Sequence, residues 1–546
     1  MIQGEIYLDE VTHQIPRILT LLDRNEKSST YGCFYRVFWH DKITDIPSAH
    51  PQIGLLSLAI LYKHKFPGNI YFKNGKIKEW SIAGINFCSK IQNSDGSFDE
   101  HYPNEHSYGA TSWTLSAILD SYLLLENEIS QNDKEIILEL ASKASKWLIR
   151  NHDPGPLTNH IAISAMVLHN MYKITRKRFF LKKSLEKIKE VLKIQSPEGW
   201  FLEYGGADLG YLTTSISFLA RYYSETKNKK VFNALKKAIL FSSYFVYPDC
   251  SYSRNIGSRN TSHFHPLGFE IMSKKIPITN NITKNILRGI ENGNILTPKV
   301  MDDKHFFHLT NEFLLSYIHF SPKNTIKQKL PCESKPFRKY FKHSGFFVTK
   351  QPSYYTVVNL KKGGVIRIFD TKKKKLLLND EGIHGITKNN KRISTQWLDD
   401  NYNIDINKEN VSLSGRLHEL HLETETLSSL KMIISRMALL TLGRSNKISL
   451  LIKNLLIKRL ITKTGHVPFK FKRELNFDTK QIQIKDIIEG RGLKSINIGG
   501  QLFPRYVPAS KYFLDDDLIK QVYWREDLAE KLNETGKILF KKNINF

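Results

Sequence analysis

An internal repeat constrains the fold of this chain more than any other feature. Residues 90–117 align without a gap on residues 193–220, an offset of 103 positions (193 minus 90), and ten of the 28 aligned pairs are identical. In each copy a helical pattern ends at Lys-Ile-Gln, a turn follows at Gly96 or Gly199, and a second helical pattern begins after a polar segment. Helical hairpins of this kind bury their apolar faces by stacking on one another, so the repeat predicts a solenoid or an (α/α) toroid.

The loops of these hairpins hold most of the reactive side chains. Besides the two repeated segments, the loops at 150–160 and 253–266 begin at the same phase of the helical pattern. We therefore expect four loops to meet at one end of the toroid. The candidate site residues there are Asn159, His160, Tyr211, Arg259, Asn260, His106, Glu105, Glu203, Asp208 and His263.

The sequence changes character after residues 321–336, which are expected to form a linker. Beyond it, apolar residues alternate with a period of two at 345–350, 354–360, 364–370, 374–378, 411–422 and 481–487, as in antiparallel strands. Lys-Lys-Gly-Gly at 361–364 is typical of a hairpin turn. The prediction is a multidomain α+β protein, with an incomplete (α/α) toroid at 1–330 and a β-sandwich-like domain at 331–546.

Residues 426–473 interrupt the second domain. The segment has 48 residues with no acidic side chain and eleven basic ones, and Leu, Ile and Met fill the intervals. Two basic amphipathic helices are predicted here. Such helices bind an anionic membrane surface, or pack on the domain with their lysine heads in water.

The net charge of +28, from 81 Lys and Arg against 53 Asp and Glu, favours an anionic partner. An acidic polysaccharide, a nucleic acid and an anionic lipid all qualify, although part of the lysine content is explained as ordinary solvated surface. The sequence contains no recognisable nucleic-acid-binding module, so a nucleic acid is not expected.

Cysteine and histidine spacing predicts neither a metal site nor a cofactor. The four cysteines are far apart, and no CxxC or Cys/His cluster occurs. The first residues lack a secretory signal pattern, and no apolar run is long enough to cross a membrane. These features predict a cytoplasmic protein, with membrane association as an alternative and a periplasmic location if the sequence has been trimmed.

Three kinds of chemistry compete for the loop residues. Glycoside hydrolysis needs two facing carboxylates, for which Glu105 and Asp208 occupy equivalent repeat positions. A metal centre is disfavoured because His263 and the other loop histidines lack a standard ligand spacing. The third chemistry, β-elimination from a uronic acid, needs a group that neutralises the carboxylate, a base for the C5 proton and an acid for the leaving oxygen. Asparagine and arginine suit the first role, while histidine and tyrosine suit the others.

A helical toroid followed by a β-domain, with Asn159 and His160 opening a helix and Tyr211 about one hairpin later, resembles the heparinase II/III-like family. Its members are chiefly polysaccharide lyases acting on uronate-containing chains. The resemblance implies that Asn159 or His160 handles the substrate carboxylate and that Tyr211 acts as acid or base. It also implies that residues 257–270 close the toroid, with Arg259 facing the glycan.

The chain departs from this family at the start of the β-domain, where active members carry a histidine. Residues 350–364 contain none; His343 and His384 are the nearest, and Tyr354 is a substitute of another type. Three functions therefore stay open: a polysaccharide lyase, a glycoside hydrolase, and an epimerase-like or non-catalytic glycan-handling protein of bacterial polysaccharide biosynthesis.

Overall fold

The computed structural model describes residues 4–153, 155, 157–322, 328–408, 410–420, 428–457, 465–499, 513–514 and 524–546. The first domain is helical. Its helices are α1 (Glu5–Thr12), α2 (Ile15–Leu21), α3 (Arg36–Trp39), α4 (Gly54–Lys63), α5 (Gly75–Ile91), α6 (Tyr108–Leu125), α7 (Gln131–Arg150), α8 (Thr158–Thr175), α9 (Arg178–Lys193), α10 (Leu209–Thr226), α11 (Lys229–Ser242), α12 (Leu267–Met272), α13 (Ile278–Glu291) and α14 (Phe306–His319).

Six of the described helices form a closed inner ring. The helices α4, α6, α8, α10, α12 and α14 pack in that order, and α14 packs on α4. The last contact is held by Ser57 Oγ, which donates to Asn311 Oδ1 at 2.6 Å, and by Asn311 Nδ2, which donates to the Ile53 carbonyl at 3.0 Å. The toroid is therefore confirmed, but it is complete where the sequence predicted an incomplete one.

Both repeat copies build the same turn. Gln92 Nε2 donates to the Gly96 carbonyl at 3.0 Å, and Gln195 Nε2 donates to the Gly199 carbonyl at 2.9 Å; each amide also donates to a carbonyl of the next outer helix. Gly96 and Gly199 have φ angles of 98° and 108°. A Cβ at either glycine would lie 2.4–2.5 Å from a carbonyl oxygen of that outer helix. Only glycine fits this close approach, which explains why it is repeated.

The second domain is an antiparallel β-sandwich. Its strands are β3 (Phe337–Phe341), β4 (Phe346–Lys350), β5 (Tyr354–Asn359), β6 (Val365–Asp370), β7 (Lys375–Asp380), β8 (Ile383–Thr387), β9 (Arg392–Ser394), β10 (Asn403–Ile406), β11 (Asn410–Glu419), β12 (Gly465–Phe477), β13 (Gln481–Glu489), β14 (Leu493–Ile498) and β15 (Lys537–Asn545). The short strands β1 (Leu202–Glu203) and β2 (Gly206–Ala207) belong to the toroid, and helices α15 (Ser429–Thr441), α16 (Asn446–Ile457) and α17 (Glu526–Thr535) to the second domain.

The strands form two sheets that share one hydrophobic core. One sheet has the order β3-β4-β5-β6-β7; the other has the order β14-β8-β9-β11-β12-β13-β15, with β10 beside β11. Phe347 of the first sheet lies 5.4 Å from Phe477 of the second, ring centre to ring centre. The six predicted strands are all present, and their ends agree within two residues except for the predicted 411–422, where β11 ends at Glu419; the turn at 361–364 joins β5 to β6.

The first sheet also packs on the toroid. Phe346 lies 4.7 Å from Phe245, and Phe369 stacks on Tyr247 at 4.6 Å, measured between ring centres. Cys332 at the end of the predicted linker is buried in the same core. The linker is thus partly interior, and its residues 323–327 lie outside the described part of the chain.

The predicted helical insertion is correct for its first part and wrong for its last part. Helices α15 and α16 lie where two helices were expected, whereas residues 465–473 belong to strand β12. Phe469 and Phe471 are buried there while Lys470 and Lys472 are exposed, which is the period of a strand. Residues 426, 427 and 458–464 lie outside the described ones. No helix in the described part of the chain is both long and apolar enough to span a bilayer.

Arg473, which the sequence grouped with the surface cations, is fully buried between the sheets. Its guanidinium donates to Asp486 at 2.7 and 2.9 Å and to Asp380 at 2.9 Å. Both aspartates are 1% exposed. A buried cation between two buried carboxylates is costly to disturb, because removal of one partner leaves the others uncompensated.

Candidate active site

The loop of the second repeat copy is the centre of the candidate site. Strands β1 and β2 form a small hairpin, and Tyr204 and Gly205 make its turn. Tyr204 has a φ angle of 51°, an unfavourable backbone conformation for a bulky residue. Arg259 holds it there: Nη2 donates to the Tyr204 carbonyl at 3.0 Å, and the guanidinium carbon lies 4.8 Å from the centre of the Tyr204 ring.

Asn159 is bound to this hairpin through Glu203. The Asn159 backbone N–H donates to Glu203 Oε1 at 2.7 Å, and Asn159 Nδ2 donates to Glu203 Oε2 at 3.0 Å. Glu203 is fully buried, and burial raises the pKa of its carboxyl well above the ordinary value, with the charge of Asp208 adding to the shift. Asn159 Oδ1 is buried and has no hydrogen-bond partner among the described residues. Glu203 is therefore placed to orient Asn159 rather than to contact a substrate.

His160 forms a dyad with Asp153. Its Nδ1 lies 2.6 Å from Asp153 Oδ2, and the His160 side chain is 18% exposed. Gly109 makes room for the ring, since a Cβ at Gly109 would lie 2.6 Å from His160 Cε1. A carboxylate on Nδ1 orients the imidazole and leaves Nε2 for a proton transfer.

Tyr211 lies in the first turn of α10 beside the hairpin. Its ring centre is 5.3 Å from that of His263 and 6.3 Å from that of Tyr204. Burial, followed by the anionic groups around it, raises the pKa of Tyr211 well above the ordinary value, so the phenol keeps its proton. The repeat equivalent, Tyr108, instead packs at 6.0 Å on Trp147 and is 2% exposed. The two tyrosines both lie in the first turn of an inner helix but have different surroundings: Tyr108 packs on Trp147, whereas Tyr211 lies beside His263 and Tyr204.

Asp208 holds Tyr211 and Arg259 in place. One carboxylate oxygen accepts the Tyr211 N–H at 3.2 Å and the Thr261 hydroxyl, and the other accepts the Arg259 N–H at 2.9 Å. The residue is 1% exposed. Asp208 therefore caps α10, and its predicted role in substrate binding stays a prediction.

Asn260, also predicted to bind substrate, faces the β-domain. Its Oδ1 accepts a hydrogen bond from Lys362 Nζ, which also donates to the carbonyls of Gly257 at 2.6 Å and Asn255 at 3.1 Å. Burial lowers the pKa of Lys362 to about 7. Burial likewise raises the pKa of Glu381, which accepts from Asn255 Nδ2 at 2.7 Å, to about 7. These contacts fix the loop that carries Arg259.

Glu105 and His106 are held in a second network on the first repeat copy. Glu105 accepts two backbone N–H groups of its own loop at 2.7 and 2.9 Å, and its Oε1 lies 3.4 Å from Lys453 Nζ of α16. His106 Nδ1 lies 2.9 Å from Asp95 Oδ2. Because Glu105 and Asp208 both bind internal partners, the structure gives no support to their use as the paired carboxylates of a hydrolase.

A row of buried histidines begins behind Tyr211. His263 lies 5.1 Å from His265, which stacks on His308 at 5.8 Å, again between ring centres. Burial lowers the pKa of His263 and of His308 well below the ordinary value. Among the described residues, no group of three or more His, Cys, Asp or Glu side chains is arranged to hold a metal ion.

The three β-domain candidates, Tyr354, His343 and His384, each contact residues outside the set described above. Tyr354 is fully buried in the sandwich and stacks on Phe546 at 4.6 Å. His343 lies in the β3–β4 turn, where its N–H donates to Glu198 at 2.7 Å. His384 is buried in β8, with Nδ1 2.9 Å from Ser394 Oγ.

Three site residues escaped the sequence prediction: Asp153, Tyr204 and Lys362. Asp153 precedes His160 by seven positions in the same loop, which is close enough for it to be considered as a partner for that histidine. Tyr204 precedes Gly205 and Gly206, a pattern that indicates a tight turn beside it. Lys362 carried no signal, because its partners are about a hundred residues away in the chain.

Comparison with known proteins adds one family match and several fold matches. Residues 71–263 match the family model of the ulvan lyase N-terminal domain, and every predicted site residue lies within that segment. The structure resembles the chondroitin AC lyase of Streptomyces coelicolor A3, solved in complex with chondroitin sulphate (TM-score 0.56, 8% identity, 91% of this chain and 68% of that chain covered). It also resembles heparinase III (TM-score 0.51, 11% identity, 91% and 72% covered). A comparison with curated proteins found no match.

This chain has the fold of a toroid polysaccharide lyase. The fold class predicted from the sequence is confirmed, as is the resemblance to heparinase-like polysaccharide lyases. The family match supports the predicted lyase-like enzyme.

Proposed function

We propose that the protein cleaves an acidic, uronate-containing polysaccharide by β-elimination at the loop end of the toroid. The observation that carries the proposal is the meeting of three loops on the hairpin at 202–208. Asn159 binds that hairpin through Glu203, Tyr211 lies against Tyr204, and Arg259 contacts both the carbonyl and the ring of Tyr204. Arg259 supplies a positive charge for an anionic sugar.

The roles follow from the chemistry of each group. Arg259 and the amide of Asn159 are suited to the uronate carboxylate, whose neutralisation makes the C5 proton more acidic. His160, oriented by Asp153, takes that proton on Nε2. The C5–H electron pair forms the C4–C5 double bond as the C4–O4 bond breaks, and Tyr211 gives its phenolic proton to the leaving O4. One proton is taken and one is given, and exchange with water resets both side chains.

The test uses ultraviolet absorbance, because β-elimination creates a conjugated double bond. Purified protein is assayed on chondroitin sulphate, heparan sulphate and ulvan, with a neutral glycan as control. We expect Tyr211→Phe to lower turnover at least about a hundredfold, while Tyr108→Phe, which changes the packed repeat equivalent, keeps wild-type turnover. Equal turnover of Tyr211→Phe and the wild type contradicts the proposed role. New reducing ends without absorbance indicate hydrolysis, and C5 deuterium exchange without cleavage indicates epimerisation. Contact of residues 426–473 with an anionic membrane is a separate proposal.

A further inference from the structure

The hairpin of helices α15 and α16, here called the apolar hairpin, has an unusual surface. Ten of the 19 large apolar side chains that are exposed in the described part of the chain lie on it. Ile433, Met437, Leu451 and Leu455 are 56–63% exposed. None of the α15 residues is buried. A helix that is apolar on most of its circumference ordinarily lies inside a protein or a lipid phase.

The inner side of the apolar hairpin is fixed to the toroid. Asn104 Nδ2 donates to the Leu439 carbonyl at 3.1 Å, and Ser449 Oγ donates to the Asn104 carbonyl at 2.8 Å. Lys453 Nζ reaches Glu105, as described above. Polar contacts thus hold the apolar hairpin on the loop of the first repeat copy, and its exposed apolar side chains face away from the protein.

We propose that the apolar hairpin binds the surface of an anionic lipid bilayer. Residues 428–457, which form the hairpin, contain five basic and no acidic side chains, and the whole chain carries a net charge of +28. Charge and apolar area therefore favour the same partner, anionic headgroups above hydrocarbon. The helices have 13 and 12 residues. At about 1.5 Å per residue they are too short for a hydrocarbon layer of about 30 Å, so they lie in the plane of the interface.

Two other occupants fit the same face less well. A second copy of this chain would bring two basic, acid-free segments together, and their like charges repel. The centre of a protein–protein interface is enriched in aromatic residues and arginine, whereas the exposed large apolar side chains of the hairpin are all Leu, Ile or Met. An anionic bilayer supplies negative charge in its headgroups and needs no aromatic anchors.

Membrane binding would place the loop that carries Glu105 beside the bilayer, because the hairpin rests on that loop. The proposal does not depend on lyase activity. Vesicle binding and turnover of soluble glycan are separate measurements, so failure of one leaves the other standing.

The test is co-sedimentation of the full chain with vesicles of phosphatidylcholine alone and of phosphatidylcholine mixed with phosphatidylglycerol. The hairpin variant is Ile433→Gln/Met437→Gln/Leu451→Gln. The control variant is Ile70→Gln/Phe179→Gln/Leu539→Gln, which changes three apolar side chains, 50–80% exposed, elsewhere on the surface. We expect binding of the wild type and control to the anionic vesicles, weakened by salt, and binding of the hairpin variant that is at least about tenfold weaker.

The melting temperatures of all three proteins are measured alongside, since substitutions at exposed positions should leave them unchanged. Absence of wild-type binding to the anionic vesicles overturns the proposal, and so does equal binding of the hairpin variant. Light scattering adds a third outcome. A reversible wild-type dimer that the hairpin variant abolishes, together with no vesicle binding, assigns the face to a second copy of the chain instead.

Discussion

The proton on Glu203 is expected to decide which way the Asn159 amide faces. A charged Glu203 accepts hydrogen bonds on both oxygens, so Asn159 Nδ2 is held on it and Oδ1 lacks a partner among the described residues. A neutral Glu203 still accepts the Asn159 N–H on one oxygen, but its other oxygen donates to Asn159 Oδ1. The amide then turns over, its buried oxygen is satisfied, and Nδ2 becomes available to a substrate carboxylate. Burial favours this neutral form, because it raises the pKa of Glu203.

Two substitutions at Glu203 distinguish the effect of its charge from the effect of its hydrogen bonds. Glu203→Gln mimics the neutral acid, because its amide donates to Asn159 Oδ1 and its carbonyl accepts the Asn159 N–H. Glu203→Ala leaves two buried donors of Asn159 without acceptors. An unsatisfied buried group costs about 1–3 kcal/mol, so we expect the alanine variant to lose roughly 2–6 kcal/mol of unfolding free energy and most turnover. The glutamine variant should keep both.

The pH dependence has a definite sign. Because the folded pKa of Glu203 is raised above the unfolded value, the folded state holds this proton where the unfolded chain has lost it. Wild-type stability and turnover should therefore fall as pH rises through the folded pKa, and Glu203→Gln should lack that fall. Thermal melts and initial ultraviolet rates across pH measure both. The reasoning is refuted if Glu203→Gln is as inactive as Glu203→Ala, or if it keeps the same alkaline decline.

Three further substitutions test other parts of the structure. Asp153→Asn should lower kcat about a hundredfold with little change in KM, since His160 keeps its neighbour but loses the charge that stabilises the imidazolium; an unchanged kcat would remove Asp153 from the mechanism. Lys362→Met should raise KM about tenfold in steady-state assays, because the loop around Asn260 loses its anchor, and an unchanged KM would make that anchor irrelevant. Arg473→Met should cost about 3–5 kcal/mol in urea unfolding, because two buried aspartates lose their cation; a loss under 1 kcal/mol (about the value of a surface pair) would contradict the burial argument.

The toroid could be predicted because its evidence is local. The repeated glutamine and glycine at each turn bond within one hairpin and to the next helix, so the pattern is visible over a short stretch of sequence. Closure of the ring could not be predicted in the same way. It depends on Ser57 and Asn311, which are 254 positions apart and belong to no shared motif.

The site residues were chosen by type, and their partners are what the sequence could not supply. Asn159 and Tyr211 lie at the loop end, but Asn260 is bound by Lys362 from the other domain, a contact across 102 positions. The error at 465–473 has a different cause. Basic residues alternate there with buried phenylalanines, and next to a lysine-rich helical stretch this short alternation resembles the polar face of a helix.

The two repeat copies share a turn but have diverged in electrostatics, and this divergence explains why only one of them forms the candidate site. Glu100 and Glu203 are equivalent positions of the repeat. Burial raises the pKa of both carboxyls, but at the half-buried Glu100 the nearby basic side chains, His101 first, outweigh it and lower that pKa. No cation outweighs burial at Glu203, so its pKa rises. In the first copy, Glu100 therefore keeps a charged carboxylate, and the loop supports the apolar hairpin. In the second copy, Glu203 keeps its proton beside Asn159, where we expect a uronate carboxylate to bind.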